Sequence, residues 1–448
     1  MIEASRPIEG DADLVQYFID GETGPEDWKV GTEHEKIGLY ADTLARLTYE
    51  GERGIAVLLE RIASGDDWIR VFEGERLVAL KKDGASITLE PGGQLELSGA
   101  PLRTNRETCA EFNTHVVLLK EVSQEMGIIW LGLGHDPIHK VEEIPRMPKA
   151  RYDIMRSYLP TRGGLALHMM HATGTVQANL DYQNEADMAV KMRTAMATSP
   201  VISALFANSS ISEGKPNGFA SRRIEIWRDT DPDRCGILDF VFLPEFGYRH
   251  YIDWALDIPM FFVIRDQQYR PAHHLTFRQF MEHGLAGERA TNGDWDTHLT
   301  TLFPEIRLKR IIEVRGTDAV SRELTCALPA VWKGILYDAG AREAAWSLTG
   351  GFSAAERDAG LADVARRGLA AEIAGQRVID LARELVALSA AGLKAMSSRG
   401  MADRSEDDFL DPLLEVIERG QSPGEELAAR WSGEWGGSMD RLIDCVKY

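Results

Sequence analysis

Hydrophobic and polar residues alternate at every step through "TVQANLDY", residues 175–182. Val176, Ala178, Leu180 and Tyr182 fall on one side of an extended chain, and Thr175, Gln177, Asn179 and Asp181 on the other. The same two-residue period runs through "VGTEHEKIGLY" (30–40) and "ITLEPGGQLELSG" (87–99), the latter interrupted at Pro91, Gly92 and Gly93, where a bend or bulge is expected. Such patterning predicts strands near 30–40, 69–81, 86–98, 128–133, 173–182, 223–227, 237–243 and 306–315. Helices interleave, among them "ETCAEFNTHVVLLKEVSQEM", and beyond residue 330 the text turns helical, as in "AAEIAGQRVIDLARELVALSAAGLKAM". Residues 208–221, rich in Gly, Pro, Asn and Ser, read as a functional loop inside a domain. The expected fold is α+β: one domain over 1–448, with a mixed or antiparallel sheet in 1–330 and a helical part in 331–448.

Residues two apart on a strand share a face, so Glu33 and Glu35 point together, as do Glu90 and Glu96, while Glu313 and Arg315 end a further row and Gln177 sits within another. Any one row reads plainly as a solvated sheet face. Taken together they hold five glutamates and hardly a lysine, which an ordinary solvated face would mix in freely. If they converge, they repel: a carboxylate pair at about 4 Å costs about 4 kcal/mol at an effective dielectric of 20. Raised pKa values offer one release. Hard divalent cations held by oxygen ligands offer another, and magnesium, which keeps waters and substrate phosphates, would make such a site a phosphoryl-transfer centre with Arg315 offsetting charge on the transferring group.

The 448 residues are 44% hydrophobic and 27% charged, an ordinary globular balance, and carry a formal net charge of -20. That surplus argues against nucleic acid or an anionic membrane as partner and favours small molecules. No apolar run is long enough to span a bilayer, and the start lacks signal-peptide or Arg- and Ser-rich leader character, so cytoplasmic localisation is expected. The four cysteines, 109, 235, 326 and 445, are scattered as reduced thiols would be. Phosphate-binding loops of the P-loop and dinucleotide types, the nucleophile elbow and the His-Glu-x-x-His helix are all missing. "LGLGHDP" is a weak phosphate cradle, and His168 and His171, three apart, fit packing or substrate contact better than a metal.

The segments "GTEHEKIG", "ITLEPGGQLELSGAP", "PKARYDIMRSYL", "TGTVQANLDYQNEADM", "LFANSSISEGKPNGF", "IWRDTDPDRCG", "LKRIIEVRG" and "SGEWGGSMD" occur in an order and spacing that resemble the glutamate-cysteine ligases of the plant and proteobacterial branch, nearly end to end. The resemblance implies a glutamine synthetase-like fold whose antiparallel sheet walls a funnel-shaped active site. It also implies ATP-dependent joining of the γ-carboxyl of L-glutamate to the amine of L-cysteine, the first step of glutathione synthesis. By the same resemblance Glu33, Glu35, Glu90, Glu96, Gln177 and Glu313 would hold Mg2+, with Glu313 and Arg315 catalytic and Arg315 on the γ-phosphate of ATP. Arg223 would take the glutamate α-carboxylate, and Tyr152 and Trp227 would line the cysteine side. Lys215 reads as a solvated turn lysine. Plant members regulate themselves through cysteine pairs; the loop following Gln267 has no cysteine, and Cys109 and Cys326 would stand where another pair lies, with reduced thiols the default. The expected assembly is a monomer or homodimer. Two other readings stay open: a related ligase using another amine, and a non-enzymatic acidic protein that binds divalent metal.

Overall fold

A computed structural model describes residues 4–65, 67–400 and 403–448. Its centre is a sheet of nine strands: β1 (Val30–Tyr40), β2 (Ile69–Glu73), β3 (Arg76–Lys82), β4 (Ala85–Leu89), β5 (Leu95–Ser98), β6 (Ile128–Leu131), β7 (Thr175–Leu180), β8 (Ile306–Leu308) and β9 (Ile312–Asp318). They lie in the order β8-β9-β7-β1-β5-β4-β3-β2, and every pair is antiparallel. β1 is long enough to serve two neighbourhoods. Its first part lies between β7 and β5, and Ile37–Tyr40 pair with β6.

Three of the expected strands are hairpins. The run 69–81 folds back between β2 and β3, and 86–98 breaks into β4 and β5 across the Pro-Gly-Gly turn. The run 306–315 is the β8–β9 hairpin, with its turn at 309–311. Two other expectations are corrected. Residues 223–227 are helical, within Arg222–Arg228: Ser221 caps that helix by accepting from the Ile224 N–H at 3.2 Å, a local signal that outweighs the β-branched Ile224 and Ile226. Residues 237–243 form only a 3-10 turn, Asp239–Phe242.

The helices that bear on the site are α1 (Asn105–Gln124), α2 (Ala150–Tyr158), α3 (Glu185–Leu205), α4 (Arg222–Arg228), α5 (Arg322–Tyr337) and α6 (Val378–Ser398). Thr104 and Glu107 fix the start of α1 as a capping box. α5, buried from Leu324 to Tyr337, lies against β7 and β1 and carries α6 on its outer side. This covers the apolar face of the sheet: Val176, Ala178, Leu180 and Ile312 are fully buried there, and Leu95, Leu97, Ile87 and Leu89 join a second core toward β4. The helical region after 330 is as expected, although Glu372–Ile373 and Gln376–Arg377 make a small hairpin and delay α6 to Val378.

The expectation of reduced thiols fails at one pair. α1 and α5 bring Cys109 and Cys326 to a Cα–Cα distance of 5.2 Å, and the two are joined as a disulfide. Scatter along the chain does not report separation in space. Among the described residues Cys235 and Cys445 are free, and no helix is long and apolar enough to cross a membrane.

Candidate active site

Register decides what the polar rows do. On one face of the sheet Glu35 stands directly opposite Glu96, and Glu33 lies between Ser98 on β5 and Gln177 on β7. Like charges directly opposite one another weaken a sheet, yet here they occupy its middle strands. Neighbours relieve them only partly. Ser98 Oγ donates to Glu96 at 2.6 Å, Thr88 Oγ1 donates to the same oxygen at 3.3 Å, and Asn179 Nδ2 donates to Glu33 at 2.8 Å. Glu90 sits just past β4, on the turn to β5, and joins the group from the side.

The β8–β9 hairpin supplies the opposite charge. Arg307 and Glu313 are cross-strand partners, and the guanidinium grips the carboxylate at 2.7 and 2.9 Å. Lys309 Nζ lies 3.1 Å from the same carboxylate, and Arg315 donates both to it and, at 2.8 Å, to Gln177 Oε1. Glu313 is wholly buried behind these cations.

These groups surround a cavity of about 220 Å3. Glu33, Glu35, Glu90, Glu96, Gln177, Arg315, Tyr152 and Trp227 line it, so eight of the ten residues expected from the sequence meet at one place. The other two stand behind the wall. Glu313 anchors Arg307 and Arg315, and Arg223 donates to the Arg315 carbonyl at 3.0 Å. α4 sets Arg223 and Trp227 four apart, on one helix face, with the guanidinium 5.5 Å from the indole ring centre and that of Arg315 5.8 Å from it. α2 contributes Tyr152, whose hydroxyl donates to the Leu89 carbonyl just before Glu90.

Sequence reasoning missed Arg307, Arg151, Met155, Met169 and Met170, which also line the cavity. Only Arg307 had a legible signal: reading "IRLKRIIEV" as a hairpin rather than one strand places it across from Glu313. Elsewhere the plain readings hold. His171 is buried with Nε2 3.2 Å from Arg156, and Lys215 is exposed at the start of the short strand that follows the turn at 213–214.

Electrostatics show what the face lacks. Burial, then repulsion from Glu313 and Glu96, pushes Glu33 up to about 7. Burial and the charges of Glu90 and Glu96 hold Glu35 well above the usual carboxylate range, and burial raises Glu90 and Glu96 as well. Glu313 goes the other way, far below that range, because Arg307, Lys309 and Arg315 outweigh its burial. Among the described residues no three acidic, imidazole or thiol side chains already form a coordination shell. The donor set nonetheless fits a hard cation: carboxylate and amide oxygens around a shared space, with their mutual repulsion only partly compensated on the Glu33–Glu35–Glu90–Glu96 side.

A family model described as glutamate-cysteine ligase family 2 matches residues 29–444. The chain is 45% identical over 450 residues to the chloroplastic glutamate–cysteine ligase of Solanum lycopersicum, covering 100% of this chain and 84% of that one. It is 44% identical over 450 residues to the chloroplastic counterpart of Arabidopsis thaliana, with the same coverage. Among solved structures, the glutamate–cysteine ligase of Francisella tularensis in complex with AMP is similar with a TM-score of 0.56 at 13% identity, over 93% of this chain and 86% of that one, which is a likeness of fold. The relatives from tomato, mustard, Arabidopsis and rice are all named chloroplastic, and this contradicts the cytoplasmic localisation expected above, which is withdrawn.

Proposed function

Since this chain belongs to the glutamate-cysteine ligase family 2 and is an ATP-dependent ligase that joins glutamate to cysteine, we propose that the cavity between the acidic face of the sheet and helices α2 and α4 is where it does so. One observation supports this most: Glu35 and Glu96 oppose each other in register beside Glu33 and Glu90, while arginines close the other end of the same cavity.

In this reading Glu33, Glu35, Glu90, Glu96 and Gln177 hold Mg2+, which when bound screens their repulsion and the charge of the ATP phosphates. Arg315 and Arg307 face the γ-phosphoryl group, and Glu313 holds both guanidiniums in place. Arg223 lies behind the wall and steadies Trp227 and the Arg315 backbone from there, and Tyr152 and Trp227 border the cysteine. The γ-carboxylate oxygen of glutamate attacks the γ-phosphorus, the bond to ADP breaks, and γ-glutamyl phosphate forms. The neutral amine of cysteine then attacks the acyl carbon, phosphate departs with the C–O bonding pair, and the amine proton leaves to give γ-glutamylcysteine, the first step of glutathione synthesis. Positioning and fixed charge supply the rate, because little covalent chemistry falls to the protein.

The test is ADP release with ATP, Mg2+, glutamate and each of cysteine, 2-aminobutyrate, serine and putrescine. Release is expected to need glutamate and an amino-acid acceptor together. A preference for putrescine would overturn the acceptor assignment, and metal binding with no ADP release under any combination would favour a binding protein.

A further inference from the structure

The turn that carries Glu90 into Glu96 is held more tightly than a surface turn needs to be. Gly93 N–H donates to the Glu90 carbonyl at 2.8 Å and Glu90 N–H to the Gln94 carbonyl at 2.9 Å. The Gln94 side chain accepts from Gly92 N–H at 3.0 Å and donates to the Thr173 carbonyl at 2.7 Å. Gly92 lies so close to helix 166–172 that a Cβ there would meet the His171 carbonyl at 2.1 Å. What remains is the Gly92 carbonyl, and Arg46 takes it: Nη2 donates to that oxygen at 2.6 Å while Nη1 donates to Asp136 at 2.8 Å.

Arg46 and Asp136 are 1% and 0% exposed at their side chains. Asp136 is fixed in turn by the backbone N–H groups of Ile138 at 2.8 Å and His139 at 2.9 Å, and its own N–H donates to Ala172. The Arg46 backbone bridges to Leu39 on β1, the strand of Glu33 and Glu35. Arg46 therefore ties the strand bearing Glu33 and Glu35, through its backbone, to the turn that starts at Glu90 and leads into Glu96, through its side chain, and braces both against the loop at 136–139. A buried ion pair is a poor device for stability, since an apolar pair of like volume does as well or better. A planar, two-pronged guanidinium is a good device for fixing distance and angle.

We propose that Arg46, braced by Asp136, is a positioning residue that sets the spacing of the Glu90–Glu96 turn from Glu33 and Glu35, and thereby the affinity of the cavity for a divalent cation. This rests on the reading that those carboxylates take up Mg2+. The experiment compares the full-length protein with R46K, R46M/D136L and E96Q, using Mn2+ alone as the probe in calorimetry, with thermal melting and the apparent KM for Mg2+, glutamate and cysteine alongside. R46K keeps the charge but loses the two-pronged reach, and R46M/D136L replaces the ion pair with apolar groups. Both are expected to weaken Mn2+ binding about tenfold and raise the KM for Mg2+ with little change in the KM for glutamate. The double variant is expected to melt below the wild type, because it leaves the Gly92 carbonyl and the Ile138 and His139 N–H groups without partners, and its binding is measured below its own melting temperature. Wild-type Mn2+ affinity in R46K overturns the proposal even if the double variant does not fold, as does a folded double variant that binds Mn2+ normally. E96Q separates the two readings. Should it bind Mn2+ like the wild type, the metal-site reading falls and the proposal with it, whereas a weakened E96Q beside an unaltered R46K sinks the strut alone.

Discussion

The two faces of β1 are both polar, and they differ in what they lack. Toward the cavity, Glu33 and Glu35 stand among other acids and are short of positive charge. Toward the helices, Thr32, His34 and Lys36 are buried, and Lys36 is short of negative charge. Its Nζ donates to the His34 carbonyl at 3.2 Å and lies 5.7 Å from the centre of the Phe112 ring. Burial lowers this lysine to about 7, against the pull of Glu96 and Glu35 across the sheet. The difference separates two kinds of buried charge. The front charges are mutually repulsive and open to a cavity that a cation can enter; the rear charge is single, sealed in, and balanced only through the strand.

The comparison breaks most sharply on the front. Glu35→Gln and Arg315→Ala are each expected to lower turnover by about a hundredfold or more, with circular dichroism unchanged; ADP-release rates within threefold of wild type would remove these residues from the chemistry. Behind the rear face, the Cys109–Cys326 bond closes a separation of 217 residues, and Cys109→Ser is expected to cost about 2–4 kcal/mol in denaturant unfolding. A midpoint shift near zero would show that the bond adds nothing to packing.

The front carboxylates also make metal-free protein sensitive to pH. Glu33 titrates near 7 when folded and at about 4.3 when unfolded, so the folded state binds the extra proton between those values and stability falls as pH rises through that window. With EDTA present, the melting temperature is expected to be higher at pH 5.5 than at pH 7.5, and Mg2+ to raise the latter value most. A metal-free melting temperature that climbs with pH contradicts this. The smallest effect is expected at the rear. Lys36→Met keeps most of the packed stem and removes a desolvated ammonium, so stability should shift by no more than about 1 kcal/mol, while the pH dependence steepens because Glu35 and Glu96 lose their attraction from behind. An unchanged pH slope would show that charge is not felt across the sheet.

Much of this was readable because a strand's period is two: Glu33, Glu35, Gln177 and Glu96 were picked out by alternation, and the sheet places them on one face. What alternation cannot give is register. That Glu35 meets Glu96 and Glu33 meets Gln177 depends on how distant segments pair, as does the burial of Glu313 beneath Arg307. The pattern over helix α4 suits a strand as well, because Ile224 and Ile226 fit both periods over so short a span, and the Ser221 cap decides between them. Arg46 and Asp136, ninety residues apart, left no trace in the patterning. The patterning is silent on the disulfide for the same reason, since only the packing of α1 on α5 brings its halves together, and the family resemblance alone pointed to Cys109 and Cys326 as a pair.

That bond makes a covalent ring of the chain from 109 to 326, and the cavity straddles its edge. Tyr152, Gln177, Trp227, Arg307 and Arg315 belong to the ring, while Glu33, Glu35, Glu90 and Glu96 sit on the arm that precedes it. A protease cutting the exposed turn at 213–216 would therefore release no fragment: the clipped molecule should travel as a single band in an oxidising gel and part into two only when a reductant is added.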